Sequence, residues 1–258
     1  MKSTLISSLV LGAMLFSWQI KVFAAVVIED QFNDGVLDSA WTQELSDALA
    51  WEYSENGGSL NVSNVQSSIT NNVSGGTWGI ASIGQSFDAV ADFNSSMAFS
   101  WGSDASNSAM QGLLVSFYGT DNNLVARTGY FDGWVKYSGA AFAEIEGRKI
   151  HSGYGSQALA GDGQVDISRS GDNMIVNWNG QELLSDISSS LLTRVEIEFW
   201  NYAYNDGADV SLFGDLNVDS FTFSGETASV PEPSSAVLLG LGMLGMFWRR
   251  RNLQSEQA

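Results

Sequence analysis

The chain has 258 residues with no cysteine and one histidine, which excludes disulfides, thiolate zinc sites, cysteine nucleophiles and multi-histidine metal centres. Its formal charge of −18 excludes nucleic acid and anionic lipid headgroups as partners, because such a surface repels phosphate. The 44% hydrophobic content fills one substantial core, and 27 glycines separate short apolar runs in the manner of turns between strands.

The first 25 residues, MKSTLISSLVLGAMLFSWQIKVFAA, place Lys2 before an apolar stretch from Leu5 to Ile20 and end in the small-residue cleavage pattern Val22-Phe23-Ala24. This layout predicts a signal helix over residues 1–24, removed after Ala24, and export of the polypeptide beyond it. Residues 25–230 carry six bases against 27 acids, a net charge of −21. Divalent cations are compatible with that balance.

Strands are predicted around Leu60–Val65, Gly79–Phe87, Ser96–Trp101, Gly112–Tyr118 and Leu124–Tyr130. His151, in GRKIHSGYG, reads as a solvated turn residue, since no partner for a catalytic imidazole is evident. In QVDISRSGDNMIVNWNGQELL, Val165 and Ile167 alternate with polar residues, Gly171-Asp172-Asn173 turns the chain, and Met174, Val176 and Trp178 alternate again. Asn179-Gly180 then supplies a type I′ hairpin signal. A short helical turn is expected near Leu183–Leu192. In TRVEIEFWNYAYN, Val195, Ile197 and Phe199 face one way, and Glu196, Glu198, Trp200 and Tyr202 the other. A final strand is expected over Leu216–Ser224.

Many short strands, glycine-rich turns and no amphipathic helix define an all-β antiparallel sandwich over residues 25–225. The stretches VVIEDQFNDGVLDSAWTQE, GGSLNVSN, GDNMIVNWNGQEL and DLNVDSFTFSG resemble the opening, middle and closing strands of concanavalin A-like lectin/glucanase jelly rolls. The resemblance implies two stacked, curved sheets, a concave face that often meets carbohydrate, and first and last strands side by side.

Glu196, Glu198, Trp200 and Tyr202 form the leading ligand-binding constellation, because rings offer flat apolar surfaces to sugar faces and carboxylates accept hydrogen bonds from hydroxyls. As a pair, Glu196 and Glu198 are weak catalytic candidates. Laminarinase-like hydrolases of the resembled fold carry Glu-x-Asp-x-x-Glu, whereas Glu196-Ile197-Glu198-Phe199-Trp200-Asn201 has Glu for Asp and Asn for the last Glu. Trp134, flanked by glycine and charge, is a further exposed ring for sugar stacking; Trp41, Trp78, Trp101 and Trp178 are assigned to the core. Glu29 and Asp30, read as the start of the first strand, together with Asp219 on the last, are candidate ligands for a structural calcium, a hard cation suited to oxygen donors.

The tail reads VPEPSSAVLLGLGMLGMFWRRR. Residues 226–235 form a linker containing Pro231-Glu232-Pro233, residues 236–248 an uncharged hydrophobic helix, and residues 249–258 a basic tail opening with Arg249, Arg250 and Arg251. Thirteen residues give only about 20 Å of helix at ~1.5 Å per residue, and the arginines assign this end to the cytoplasmic side. The order of these parts resembles the PEP-CTERM sorting signal of Gram-negative exosortase substrates. It implies a transient membrane hold through the C-terminal helix, an exosortase-type processing enzyme as partner, and a final place at the cell surface or outside the cell.

The sequence as a whole points to an exported envelope or matrix protein that binds carbohydrate or exopolysaccharide without catalysis. A polysaccharide-degrading enzyme on the same fold and a structural matrix protein without a small ligand are the alternatives.

Overall fold

The computed structural model describes residues 25–45, 51–55, 57–64, 69–70, 77–101, 109–132, 140–152, 161–203, 209–210 and 216–227, which belong to one compact unit, Phe23–Ala228. The described residues contain sixteen strands and no helix. The first eight are β1 (Ala25–Asp30), β2 (Thr42–Leu45), β3 (Trp51–Glu55), β4 (Leu60–Asn64), β5 (Ile69–Thr70), β6 (Thr77–Trp101), β7 (Ala109–Gly119) and β8 (Leu124–Asp132). There follow β9 (Ala140–Ile145), β10 (Arg148–Ser152), β11 (Gly161–Ser170), β12 (Asn173–Trp178), β13 (Gln181–Ile187), β14 (Leu192–Ala203), β15 (Asp209–Val210) and β16 (Leu216–Thr227).

Fourteen of these strands form one antiparallel hydrogen-bonded network, and β15 pairs separately with β5. The network folds into two layers because β6 is long enough to serve both. Its first half pairs with β14 on one side and β2 on the other, giving the order β10-β9-β8-β7-β14-β6-β2. Its second half pairs with β11 and β16, giving β13-β12-β11-β6-β16, with β1 and β4 along the far side of β16. The two stretches expected as separate strands, 79–87 and 96–101, are therefore parts of one strand that changes layer near Val90. Register shifts at Leu192/Arg194 and Gly225/Thr227 fall where the partners of Val90 end, as bulges do at sheet corners.

The corner is held from inside. Arg169, 4% exposed, donates through its guanidinium to the carbonyl oxygens of Val90 (3.1 Å), Ala91 and Ser190, and lies 5.6 Å from the Phe93 ring. A guanidinium here gives three carbonyls at the change of layer a charged hydrogen-bond donor.

The core lies between the layers. Val195, Ile197 and Phe199 of β14 and Leu113, Val115 and Phe117 of β7 meet Met97, Phe99, Phe221 and Phe223 from the other layer, all buried. Phe117 and Phe223 sit 6.1 Å apart across the interface, and Trp101 stacks on Tyr130 at 4.2 Å. Each such ring contributes roughly 1.5–3 kcal/mol by leaving water. A Cβ on Gly163 would meet the Trp178 ring at 2.9 Å and Phe99 at 3.0 Å, so only glycine lets both rings lie over the β11 backbone.

Trp41 is buried, and Trp101 and Trp178 are partly buried against the core, as expected. The first and last strands pair in register from Ala25↔Glu226 to Asp30↔Phe221. The Asn179-Gly180 turn has both residues at positive φ, 47° and 76°, which a type I′ turn requires.

Three expectations are corrected. Residues 183–187 continue β13 against β12 and 188–191 are not helical, so no helical turn forms there; Leu184 is instead a buried strand residue. His151 belongs to β10, not to a turn, and packs half-buried on Phe142 at 4.8 Å. Glu29 and Asp30 end the first strand. The expected signal and C-terminal helices lie outside the described residues, among which no helix is long and apolar enough to cross a membrane.

Candidate functional site

The outer face of the β14 sheet, the side turned away from the core, carries the chemistry. Registers across the strands align Lys149, Glu144, Arg127, Ser116, Glu196 and Gly84 in one row. The next row contains His151, Phe142, Gly129, Leu114, Glu198 and Ser82. Cross-strand pairing of this kind brings together residues far apart in the chain, as Glu198 and Ser82 are.

Glu198 is the hub. One carboxylate oxygen accepts the indole N–H of Trp200 at 2.6 Å, and the other accepts the Tyr118 hydroxyl at 3.0 Å and lies 3.8 Å from Arg127 Nη2. It is 2% exposed. Arg127 also donates through Nε to the Ser116 hydroxyl and lies 5.1 Å above the Trp200 ring, a cation–π distance. Burial, followed by the charges of Glu198 and Glu196, pushes the Tyr118 phenol well above its ordinary range. Tyr118 is thereby a donor at every physiological pH.

Trp200 is fixed on a second side by Phe131, whose ring meets it edge-on at 6.4 Å and 89°. Leu114, Phe131 and Phe142 form a small buried cluster distinct from the core, with Trp200 packed against it. Gly112 makes this possible, since a Cβ there would come within 2.5 Å of the Phe131 ring. Glu196 pairs with Arg194 at 2.7 Å, and Glu144 with Lys149 at 3.4 Å.

Glu196, Glu198 and Trp200 thus share a face as expected, although that face is no solvated strand surface: Glu196 is 8% exposed and Glu198 less. Tyr202 lies in β14, with its side chain outside the described residues. Trp134 lies outside the described residues, as do Ala24, Pro231, Glu232, Pro233, Arg249, Arg250 and Arg251. Tyr118, Arg127, Arg194, Glu144 and Lys149 were missed. The available signal was a charge within an otherwise apolar strand, as in LVARTGY.

Glu29, Asp30 and Asp219 are not brought together as a cation site. Asp30 uses Oδ1 to accept the Phe32 N–H at 2.8 Å and Oδ2 to accept the Trp41 indole at 2.9 Å, whereas Glu29 alternates to the opposite, exposed face. Asp219 sits at a register shift, and burial together with Asp162 raises its pKa. Among the described residues no group of three or more His, Asp or Glu side chains has the arrangement of a metal site. The calcium expectation does not fit these three residues.

A hollow of about 410 Å³ on the second sheet is lined by Asp92, Asn94, Ser168, Ser170, Ser224 and Glu226 among others. Its short polar side chains offer no accessible ring for stacking.

The architecture is that of an antiparallel jelly roll. The chain aligns with the GlcNAcα1-4Gal-releasing endo-β-galactosidase of Clostridium perfringens at TM-score 0.51 and 9% identity, covering 78% of this chain and spanning 62% of that enzyme. It aligns with the CBM2 module of the Lactobacillus casei BL23 phage J-1 evolved Dit at 0.53 and 11%, covering 81% and 99% of the two chains. The laminarinase catalytic domain of Thermotoga maritima MSB8 gives 0.52 and 10%, with coverages of 80% and 99%. Identities this low establish the fold alone. No curated protein sequence matches the chain.

Residues 229–251 match the PEP-CTERM protein-sorting motif. The motif implies export, a transient membrane hold and processing by an exosortase.

Proposed function

We propose that the exported body is a non-enzymatic carbohydrate-binding domain, displayed at the cell surface or in the surrounding matrix, which meets polysaccharide on the outer face of the β14 sheet. The observation that carries this reading is the engagement of Glu198. A glycosidase needs one carboxylate able to attack or to hold a proton and a second to exchange it. Here both oxygens of Glu198 are occupied by its own chain, and Glu196 faces a guanidinium at 2.7 Å. The same contacts suit binding, since they fix an indole ring, a phenol donor and a guanidinium in one orientation before any ligand arrives.

The test is to incubate full-length protein, in a detergent without sugar headgroups, with a panel of soluble polysaccharides and to follow both retention and new reducing ends. Retention without new ends is expected. Steady release of reducing ends that stops in Glu198→Gln would establish the hydrolase instead.

A further inference from the structure

Resting on the reading of this face as a glycan site, the geometry points to its ligand class: a polysaccharide whose repeating sugar carries a carboxylate. Five of the six bases in residues 25–230 fall in described strands. Arg169 is buried at the corner, and Arg148 reaches Asp186 of β13 at the sandwich edge. The other three, Arg127, Lys149 and Arg194, all lie on the outer face of the β14 sheet. Among the described residues the outer face of the second sheet carries no base; its central strands present Asn94, Ser96, Ser168, Thr222 and Ser224.

Each of the three pairs with a carboxylate, and in each pair the cation is the more exposed partner. Side-chain exposures are 18% against 3% for Arg127 and Glu198, 57% against 8% for Lys149 and Glu144, and 22% against 11% for Arg194 and Glu196. The carboxylates form the floor and the cations the rim. A ligand carboxylate arriving from solvent meets the cation at contact distance and the buried carboxylate one layer further back, so attraction exceeds repulsion locally. The guanidinium fork matches two carboxylate oxygens at once, which a sugar hydroxyl does not.

The net charge of −21 opposes any polyanion, and the opposition depends on distance. Stacked sheets lie about 10 Å apart, beyond the Debye length of about 8 Å at physiological ionic strength, so acids on the second sheet act on a ligand here more weakly than cations at contact. A polyuronate brings one charge per sugar, a lower density than the one charge per ~1.7 Å along duplex DNA.

The test is affinity electrophoresis of the full-length protein through gels containing sodium alginate, a sulfated galactan or a neutral β-glucan. Alginate is expected to retard the protein at tenfold lower polymer concentration than the neutral glucan. Lys149→Gln and Arg194→Gln should each weaken retardation by alginate three- to tenfold. Glu144→Gln, which removes the partner of Lys149, should strengthen it. Thermal melts check that each variant is folded, and Lys149→Gln, on the most exposed of the three, serves if Arg194→Gln is not. Equal or stronger retardation by the neutral glucan or the sulfated galactan, or no change in folded Lys149→Gln, would overturn the carboxylate assignment while leaving a glycan-binding face. No retardation by any of the three removes the binding reading itself, and this inference with it.

Discussion

The carboxylate of Glu198 holds the indole N–H of Trp200 at 2.6 Å from two positions away on the same strand. Residues i and i+2 share a strand face, so this bond needs no tertiary luck; what makes it rigid is the second oxygen, tied to Tyr118 on the neighbouring strand. Glu198→Ala would leave the buried Tyr118 hydroxyl and Trp200 N–H without their acceptor, at a cost of about 2–5 kcal/mol. Glu198→Gln, which keeps one acceptor oxygen, should cost much less. Urea unfolding of the two variants separates these outcomes.

Tyr118 predicts the alkaline limit. Its folded pKa is raised above the unfolded value near 10, first by burial and then by Glu198 and Glu196. The folded state therefore keeps its proton longer than the unfolded one. The resulting stability is complete below pH 10 and is lost as pH rises above it. Thermal melts between about pH 8 and 11.5 should fall steeply in the wild type and less steeply in Tyr118→Phe.

Glu55 predicts an effect near neutrality. Both of its carboxylate oxygens are shielded from solvent in the strand beside the β1–β2 loop, and burial, then Asp34 and Asp30, raises its pKa. A raised carboxyl favours the folded state below its unfolded value, near 4.5, and loses that advantage as pH rises through the folded value. Glu55→Gln should accordingly raise Tm at about pH 7, with the gain shrinking toward about pH 4.

Arg169 predicts the strength of the corner. Replacing it with Met keeps most of the apolar stem and strands three carbonyl oxygens, those of Val90, Ala91 and Ser190. A loss of roughly 3 kcal/mol or more is expected from denaturant titration. Arg169→Lys should recover only part of it, because one ammonium does not reproduce the guanidinium fork.

The strand face of Glu196, Glu198 and Trp200 was legible because alternation with Val195, Ile197 and Phe199 is local. Its burial was not, since Tyr118 and Arg127 arrive from strands β7 and β8, and single-strand periodicity carries no information about lateral neighbours. The sandwich was legible from many short strands between turns, and the adjacency of first and last strands from the resemblance to concanavalin A-like jelly rolls, but β6 was misread. Polar Asp88, Asp92 and Asn94 look like a turn in the sequence, yet they line the outside of a strand that bends between layers. Leu183–Leu192 resembled a helical turn until β12 supplied a ladder for its first half. Tertiary pairing overrides local preference in such short segments.

The account stands on where glycan touches the body, and hydroxyl-radical footprinting of the full-length protein, with and without a retained polysaccharide, locates it. Protection is expected at Trp200 and Tyr118, with Phe223 and Met97 in the core unchanged. Protection confined to β11 and β16, with Trp200 oxidised as in the free protein, would contradict it.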